Sequence, residues 1–134
     1  MGTQEATGSK TQLHWEELGH ESHRVEAGAF LLGNDIVVVI GGGTKWHIGA
    51  VALAVPRSSL ADPSQVSASA SVLCVTGHKE DDLARSAALF LASTLKRTVT
   101  VVVGIHIDQA SGEDINIVTA NYHAAIERLQ EKLR

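Results

Sequence analysis

The hydrophobic pattern divides the chain into a β-rich first half and a second half in which helices alternate with a strand. From about Ser22, the residues Val25, Ala27, Ala29 and Leu31 alternate with other positions, and that period of two predicts a strand. Gly33-Asn34 is a hairpin signal. Asp35 to Ile40 follows, apolar throughout from Ile36 to Ile40. A short β-branched run of this kind predicts a central strand covered on both faces. The pattern breaks over Gly41 to His47, which reads as a loop, and resumes from Ile48 to Val55, where Pro56 is expected to end the strand. Arg57 to Val66 carries Pro63 and several serines and reads as a loop, and Ser67 to Val75 is the next strand.

Gly77-His78 then leads into a helix over roughly Glu80 to Leu95, with Leu83, Ala87, Phe90, Leu91 and Leu95 along one side. Thr98 to Val103 predicts a strand and Gly104 to Ala110 a loop. The last helix starts at Ser111, with Asp114 at capping-box spacing. Its apolar stripe is Ile115, Val118, Tyr122, Ala125, Ile126, Leu129 and Leu133. Upstream, Leu13 to Gly19 suggests a short helical turn, and the small polar residues 1–12 a flexible tail, which leaves 13–134 as a single domain. The fold class is α+β (α/β): one domain with a mixed β-sheet, in the order β-β-β-β-α-β-α. An antiparallel meander is followed by one parallel, right-handed crossover.

A chain of 134 residues, 44% apolar, can build one core without metals or disulfides. Its net charge of −4 gives no footprint for nucleic acid and no general attraction to anionic membrane. No stretch is long and apolar enough to span a bilayer, no apolar signal core opens the chain, and Ala6 breaks a myristoylation pattern. A cytoplasmic protein is expected. The single cysteine, Cys74, lies in the apolar run Ser71 to Val75 and reads as a buried small hydrophobe. The strand Ser67-Ala68-Ser69-Ala70-Ser71 has only small side chains, which cover a core poorly, so a homo-oligomer is expected.

Strand direction carries the functional reading. Alternating strand directions put three segments on one sheet edge: Gly41-Gly42-Gly43-Thr44-Lys45-Trp46-His47, Gly77-His78-Lys79, and Gly104-Ile105-His106-Ile107-Asp108. Both helix N-termini open there, and open α/β sheets bind ligands at the carboxyl ends of strands. The chemistry suits an anion. Glycines permit close backbone approach, helix N-termini offer N–H donors, and Lys45, Lys79 and the three histidines supply charge or donors. Trp46 offers a flat face for a ring. The cofactor-binding candidates are therefore Gly41, Gly42, Gly43, Thr44, Lys45, Trp46, His47, Gly77, His78, Lys79, Gly104, His106 and Asp108.

Each residue also has a plainer use: the glycines as a hairpin connection, the lysines as solvated charges, Trp46 as sheet packing, His78 as a cap and His106 as a core residue. Their convergence on one edge is what favours a ligand site. A metal is the rival use of histidine. His14, His20 and His23 match no strong zinc spacing, and a site of His47, His78 and His106 needs three loops to meet, so no metal ligand is assigned. No G-x-S-x-G elbow is present. Asp81 and Asp82, beside Glu80, read as first-turn acids that complement the helix dipole. Asp108 beside His106 forms either a base with its orienter or a structural hydrogen bond. No residue is assigned a catalytic role.

Three blocks in order resemble a known family: Ile40-Gly41-Gly42-Gly43-Thr44-Lys45-Trp46-His47-Ile48-Gly49-Ala50-Val51, Thr76-Gly77-His78-Lys79-Glu80-Asp81, and Val103-Gly104-Ile105-His106-Ile107-Asp108. They are similar to the prenylated-flavin chaperones of the LpdD type, over about Arg24 to the C-terminus. The resemblance implies a non-enzymatic binding protein that holds prenylated FMN (or FMN) and delivers it to a UbiD-type decarboxylase. It implies a second partner, the UbiX-type flavin prenyltransferase that makes the cofactor. The fold it implies is also similar to that of the proteasome assembly chaperones, which is an analogy of fold and not of function. The alternative reading is a small enzyme, a metal-dependent hydrolase or flavin reductase, using His47, His78, His106 and Asp108.

Overall fold

A computed structural model describes residues 12–75 and 80–134. The strands are β1 (Leu13–Leu18), β2 (Val25–Leu32), β3 (Asp35–Gly43), β4 (Lys45–Ser58), β5 (Val66–Cys74) and β6 (Val99–His106). The helices are α1 (Asp81–Leu95) and α2 (Gly112–Leu133), and a 3₁₀ turn covers Glu21–His23. One mixed six-stranded sheet has the order β1-β2-β3-β6-β4-β5. Every neighbouring pair is antiparallel except β3 with β6. The expected class, the mixed sheet and the single parallel pairing are present. The meander is interrupted, because β6 inserts between β3 and β4 and makes its parallel pair with β3.

Leu13 to Gly19 is a strand where a helical turn was expected. Leu13 and Trp15 point one way and His14, Glu16 and Leu18 the other, a period of two that fits pairing with β2. Trp15 donates its Nε1–H to Glu26 at 2.9 Å, and Lys132 of α2 meets Glu16 at 2.6 Å, so tertiary contacts hold this segment extended. Pro56 does not end β4, which runs on to Ser58. Pairing with β6 has stopped at Ala54, and a proline is tolerated where one side of a strand has no neighbour. Of the tail expected over 1–12, only Gln12 is described; its carbonyl accepts the Leu31 N–H at 3.1 Å.

Both helices lie on one face of the sheet, α1 over β4, β5 and β6 and α2 over β1 and β2. The core between them is built from small and branched residues. Ala27, Ala29, Ile36, Val38, Ile40, Ala50, Ala52, Ala54, Val99, Val101 and Val103 come from the strands, and Ala84, Ala88, Leu91, Tyr122, Ala125 and Leu129 from the helices. Alanines on both sides let helix and sheet approach closely. α2 begins with the expected capping box: the Ser111 side chain accepts the Asp114 N–H, and Asp114 accepts the Ser111 N–H.

The other face is crossed by no element among the described residues. Ile36 to Ile40 is therefore covered on one side only, contrary to the double coverage its apolar run predicts: Ile36, Val38 and Ile40 are buried and Val37 and Val39 half-buried. Cys74 is exposed at the end of an edge strand and is not a core residue, since among the described residues no strand lies beyond β5 to shelter it. Phe90 and Ile115, assigned to the helical stripes, are 37% and 53% exposed.

Candidate functional site

The edge reached by β3 and β6 is where the candidate residues gather. Gly41, Gly42 and Gly43 are ladder residues at the end of β3, between Glu26–Val25 on one side and Gly104, Ile105 and His106 on the other. The expected loop over 41–47 is corrected to two strands joined at Thr44, whose hydroxyl donates to the His106 carbonyl at 3.2 Å and accepts the Asp108 N–H at 3.1 Å. Thr44 thereby locks the β3–β4 corner onto the end of β6.

Sequence then dictates where His47 points. The β4 register with β6 is interrupted between Trp46 and Ala50, a bulge carrying His47, Ile48 and Gly49. Bulges re-aim side chains at sheet rims. Here the bulge brings the His47 Nε2 to 3.1 Å from the Glu80 carboxylate just before α1. Two glycines make the approach possible. A Cβ on Gly104 would sit 1.6 Å from the His47 carbonyl oxygen, and a Cβ on Gly49 would fall 2.4 Å from Glu80 Oε1. Glu80 is 7% exposed and also accepts the Ile105 N–H at 3.2 Å. It is not the solvated helix-dipole acid that its neighbours Asp81 and Asp82 suggest. Nothing in the local sequence marks it out; only the fold brings it under β6.

His106, at the end of β6, lies with its Nε2 3.0 Å from Asp108, and its ring centroid is 6.4 Å from that of His47. Lys45 is its register partner on β4. Lys45, His47, Ile48 and His106 line a cavity of about 230 Å³. His106 also borders a second cavity, about 300 Å³, whose walls are mainly Leu83, Ile105, Ile107, Ile115 and Val118. Glu80, Ala110, Thr119 and Tyr122 also line it. Burial pushes the Tyr122 phenol above its usual range, and its hydroxyl donates to the Leu83 carbonyl, tying α2 to α1. The sequence reading missed this apolar cavity. Its only trace was the surplus of isoleucine and valine at the start of α2.

Trp46 lines neither cavity. Its ring lies across Gly41, on the face away from the helices, and is 47% exposed. The segment Gly77-His78-Lys79 lies outside the described residues. His47 and His106 do come together; among the described residues no group of three or more His, Cys, Asp or Glu has the arrangement of a metal site. His23 lies 2.8 Å from Asp114 and serves the α2 cap, and His123 is exposed, packed edge-on against Tyr122.

Comparison with known proteins agrees with this architecture. No curated protein matches the chain. Among solved structures, a chain from the crystal structure of a novel chaperone complex for yeast 20S proteasome assembly superposes with a TM-score of 0.55 at 17% identity. The match covers 90% of this chain and 94% of that one, a likeness of fold. The family model of the prenylated flavin chaperone LpdD-like domain matches residues 19–134, from the Gly19 bend through the whole of α2. The chain belongs to the prenylated flavin chaperone LpdD-like family.

Proposed function

We propose that this protein is a cytoplasmic, homo-oligomeric carrier that holds prenylated FMN (or FMN) at the end of β3, β4 and β6. It receives the cofactor from a UbiX-type prenyltransferase and releases it to a UbiD-type decarboxylase. The observation that carries the reading is the pair of cavities that share His106, one lined by Lys45 and His47 and the other mainly by aliphatic side chains. A flavin mononucleotide has the same two-part chemistry. Its phosphate suits Lys45, His47 and His106, where an ammonium and imidazole N–H groups can make charge-assisted hydrogen bonds. Its ring system suits the apolar walls of Leu83, Ile107, Ile115 and Val118. Gly77, His78 and Lys79 precede α1 in sequence and are proposed as further phosphate-binding residues. Gly41, Gly42, Gly43, Gly104 and Thr44 shape the site by close packing rather than by cradling the phosphate. Trp46 does not serve as the ring wall.

The carboxylates explain how such a site releases its ligand. Glu80 and Asp108 each stand beside an imidazole and put carboxylates next to the phosphate side, so phosphate is held by a few donors and not by a dense cationic nest. A carrier needs reversible binding, and this arrangement limits affinity.

Titration with FMN, prenylated FMN and riboflavin, followed by flavin fluorescence or calorimetry, tests the proposal. Prenylated FMN or FMN should bind, riboflavin poorly, and the bound flavin should be recovered unchanged. A protein that binds none of the three would overturn the reading. The second reading, a small enzyme, draws on the two histidine–carboxylate pairs, an arrangement that can also serve a general base. Chemical conversion of the bound flavin, or hydrolysis of a phosphate ester, would establish it in place of the carrier.

A further inference from the structure

We propose that the bare face of the sheet is a homodimer interface, in which a second copy lays its own bare face across it with β1 above β5. This inference does not depend on the ligand site. The positions pointing away from the helices are Leu13 and Trp15 on β1, Phe30 on β2, Val37 and Val39 on β3, Val102 on β6, Val51, Leu53 and Val55 on β4, and Leu73 on β5. Leu13, Trp15, Phe30, Leu53, Val55 and Leu73 are 38% to 78% exposed, and Trp46 adds its ring above Gly41. Among the described residues, the charged residues of this face, Glu17, Arg24, Glu26, Asp35 and Arg57, sit at or beside strand ends and leave an uncharged centre, the pattern of an interface core inside a polar rim.

Three physical arguments select a second copy as the occupant. First, Ile36 to Ile40 is apolar at every position, as strands buried on both faces are, yet the described residues of one chain cover only one face. Second, the area is sufficient. Six strands about 4.8 Å apart, over roughly six residues of about 3.3 Å, give a plane of roughly 600 Å², and side-chain relief raises it towards the roughly 800 Å² per partner of a standard interface. Third, the face is complementary to itself. One margin is bulky, with Leu13, Trp15 and Phe30, and the other is small, with Ser67, Ser69 and Ser71. A two-fold axis along the strands places β1 over β5, β2 over β4 and β3 over β6. Bulk then meets small side chains, in the aligned packing that twisted sheets adopt. An axis across the strands would set tryptophan on tryptophan and serine on serine, with a collision at one margin and a void at the other.

The test uses the full chain. Sedimentation across a range of concentrations should show a dimer that dissociates on dilution. Both tryptophans of the chain lie on this face, so dissociation should shift their emission to the red. Leu53→Glu should weaken the dimer at least about 100-fold, because it buries an unpaired carboxylate between the sheets. Thermal unfolding of the variant reports whether the chain still folds, and Val55→Glu repeats the test at the neighbouring open-face position. Ser69→Phe should weaken the dimer by collision with the partner's β1, and Trp15→Ala added to it should restore part of the loss. A parent protein that stays monomeric at high concentration overturns the proposal. So does a dimer indifferent to both glutamates, and a dimer indifferent to Ser69→Phe overturns the placement of β1 above β5.

Discussion

The two faces of this sheet are built from opposite materials. The face beneath the helices is mostly alanine and valine, and Ala27, Ala29, Ala50, Ala52, Ala54, Val99, Val101 and Val103 are all 0% exposed. The opposite face carries Trp15, Trp46, Phe30 and Leu53, all at least 37% exposed. Size and burial thus run against each other: small residues are sealed, and large ones are left in water. Helices need shallow side chains to lie close to a sheet, whereas a face waiting for a partner keeps the large apolar groups that supply binding area. The covered face sets the fold of one chain, and the bare face is the surface that the proposed dimer would bury.

Truncation should separate the faces most strongly. Leu91→Ala, in the sealed core, should cost about 2–5 kcal/mol in urea unfolding, whatever the protein concentration. Leu53→Ala removes the same atoms from the bare face and should cost the single chain about 0.5 kcal/mol, with any larger loss growing as concentration rises through dimer formation. Equal, concentration-independent losses would break the distinction. Overpacking should repeat the contrast at smaller size. Ala52→Leu, beneath α1, should cost about 1–3 kcal/mol, while Val51→Leu, its neighbour on the other face, should leave the unfolding midpoint of the monomer nearly unchanged.

Sequence periodicity made the sealed face legible. The alternation of Val25, Ala27, Ala29 and Leu31 and the stripe from Ile115 to Leu133 mark buried positions, and all of them are buried except Leu31, which is half-buried, and Ile115, which is exposed. The bare face was hidden by the same signals: a continuous apolar run announces coverage on two faces without saying whether one chain supplies both. The gathering of Lys45, His47 and His106 at one edge followed from strand direction alone. Glu80 was not legible, because the bulge at His47–Gly49 and the insertion of β6 between β3 and β4, which together bring it to His47, arise from long-range pairing. For the same reason the glycine run was misread. Its residues admit neighbouring backbone and rings within a sheet, and composition does not distinguish that use from a loop.

Lys45 and Trp46 are adjacent in sequence but belong to different regions of the molecule. Lys45→Ala should weaken FMN binding about tenfold or more, as expected for losing a charge-assisted contact, and should leave the assembly state alone. Riboflavin binding should respond little. Trp46→Ala should do the reverse, shifting the monomer–dimer balance with little effect on FMN, since its ring lies across Gly41 and borders neither cavity. Loss of FMN binding in Trp46→Ala, measured at a concentration where the variant has the parent's assembly state, would return this ring to the ligand site.

The smallest expected effect lies at the rim of the sealed face, where Asp114 starts α2. The Ser111 backbone N–H holds its carboxyl down to about 2, helped by the His23 ring and the Ser111 hydroxyl. A carboxyl with a folded value below its unfolded value of about 3.9 stabilises the fold while it is ionised. Its contribution is complete above about pH 4 and disappears as the pH falls through about 2. Asp114→Asn keeps the shape of the cap and removes the charge. Parent and variant should therefore differ in urea midpoint at pH 5, differ less at pH 3, and coincide near pH 2. His23→Gln in the same series isolates the cap: the difference should shrink but keep its dependence on pH, because the backbone N–H of Ser111 remains. Leu53→Ala measured alongside as a monomer should show no such convergence, as the charges on its face among the described residues stand at or beside the strand ends. A difference between parent and Asp114→Asn that stays constant down to pH 2 would mean that the cap acts through shape, and that the sealed face has no acid-labile fastening at this corner.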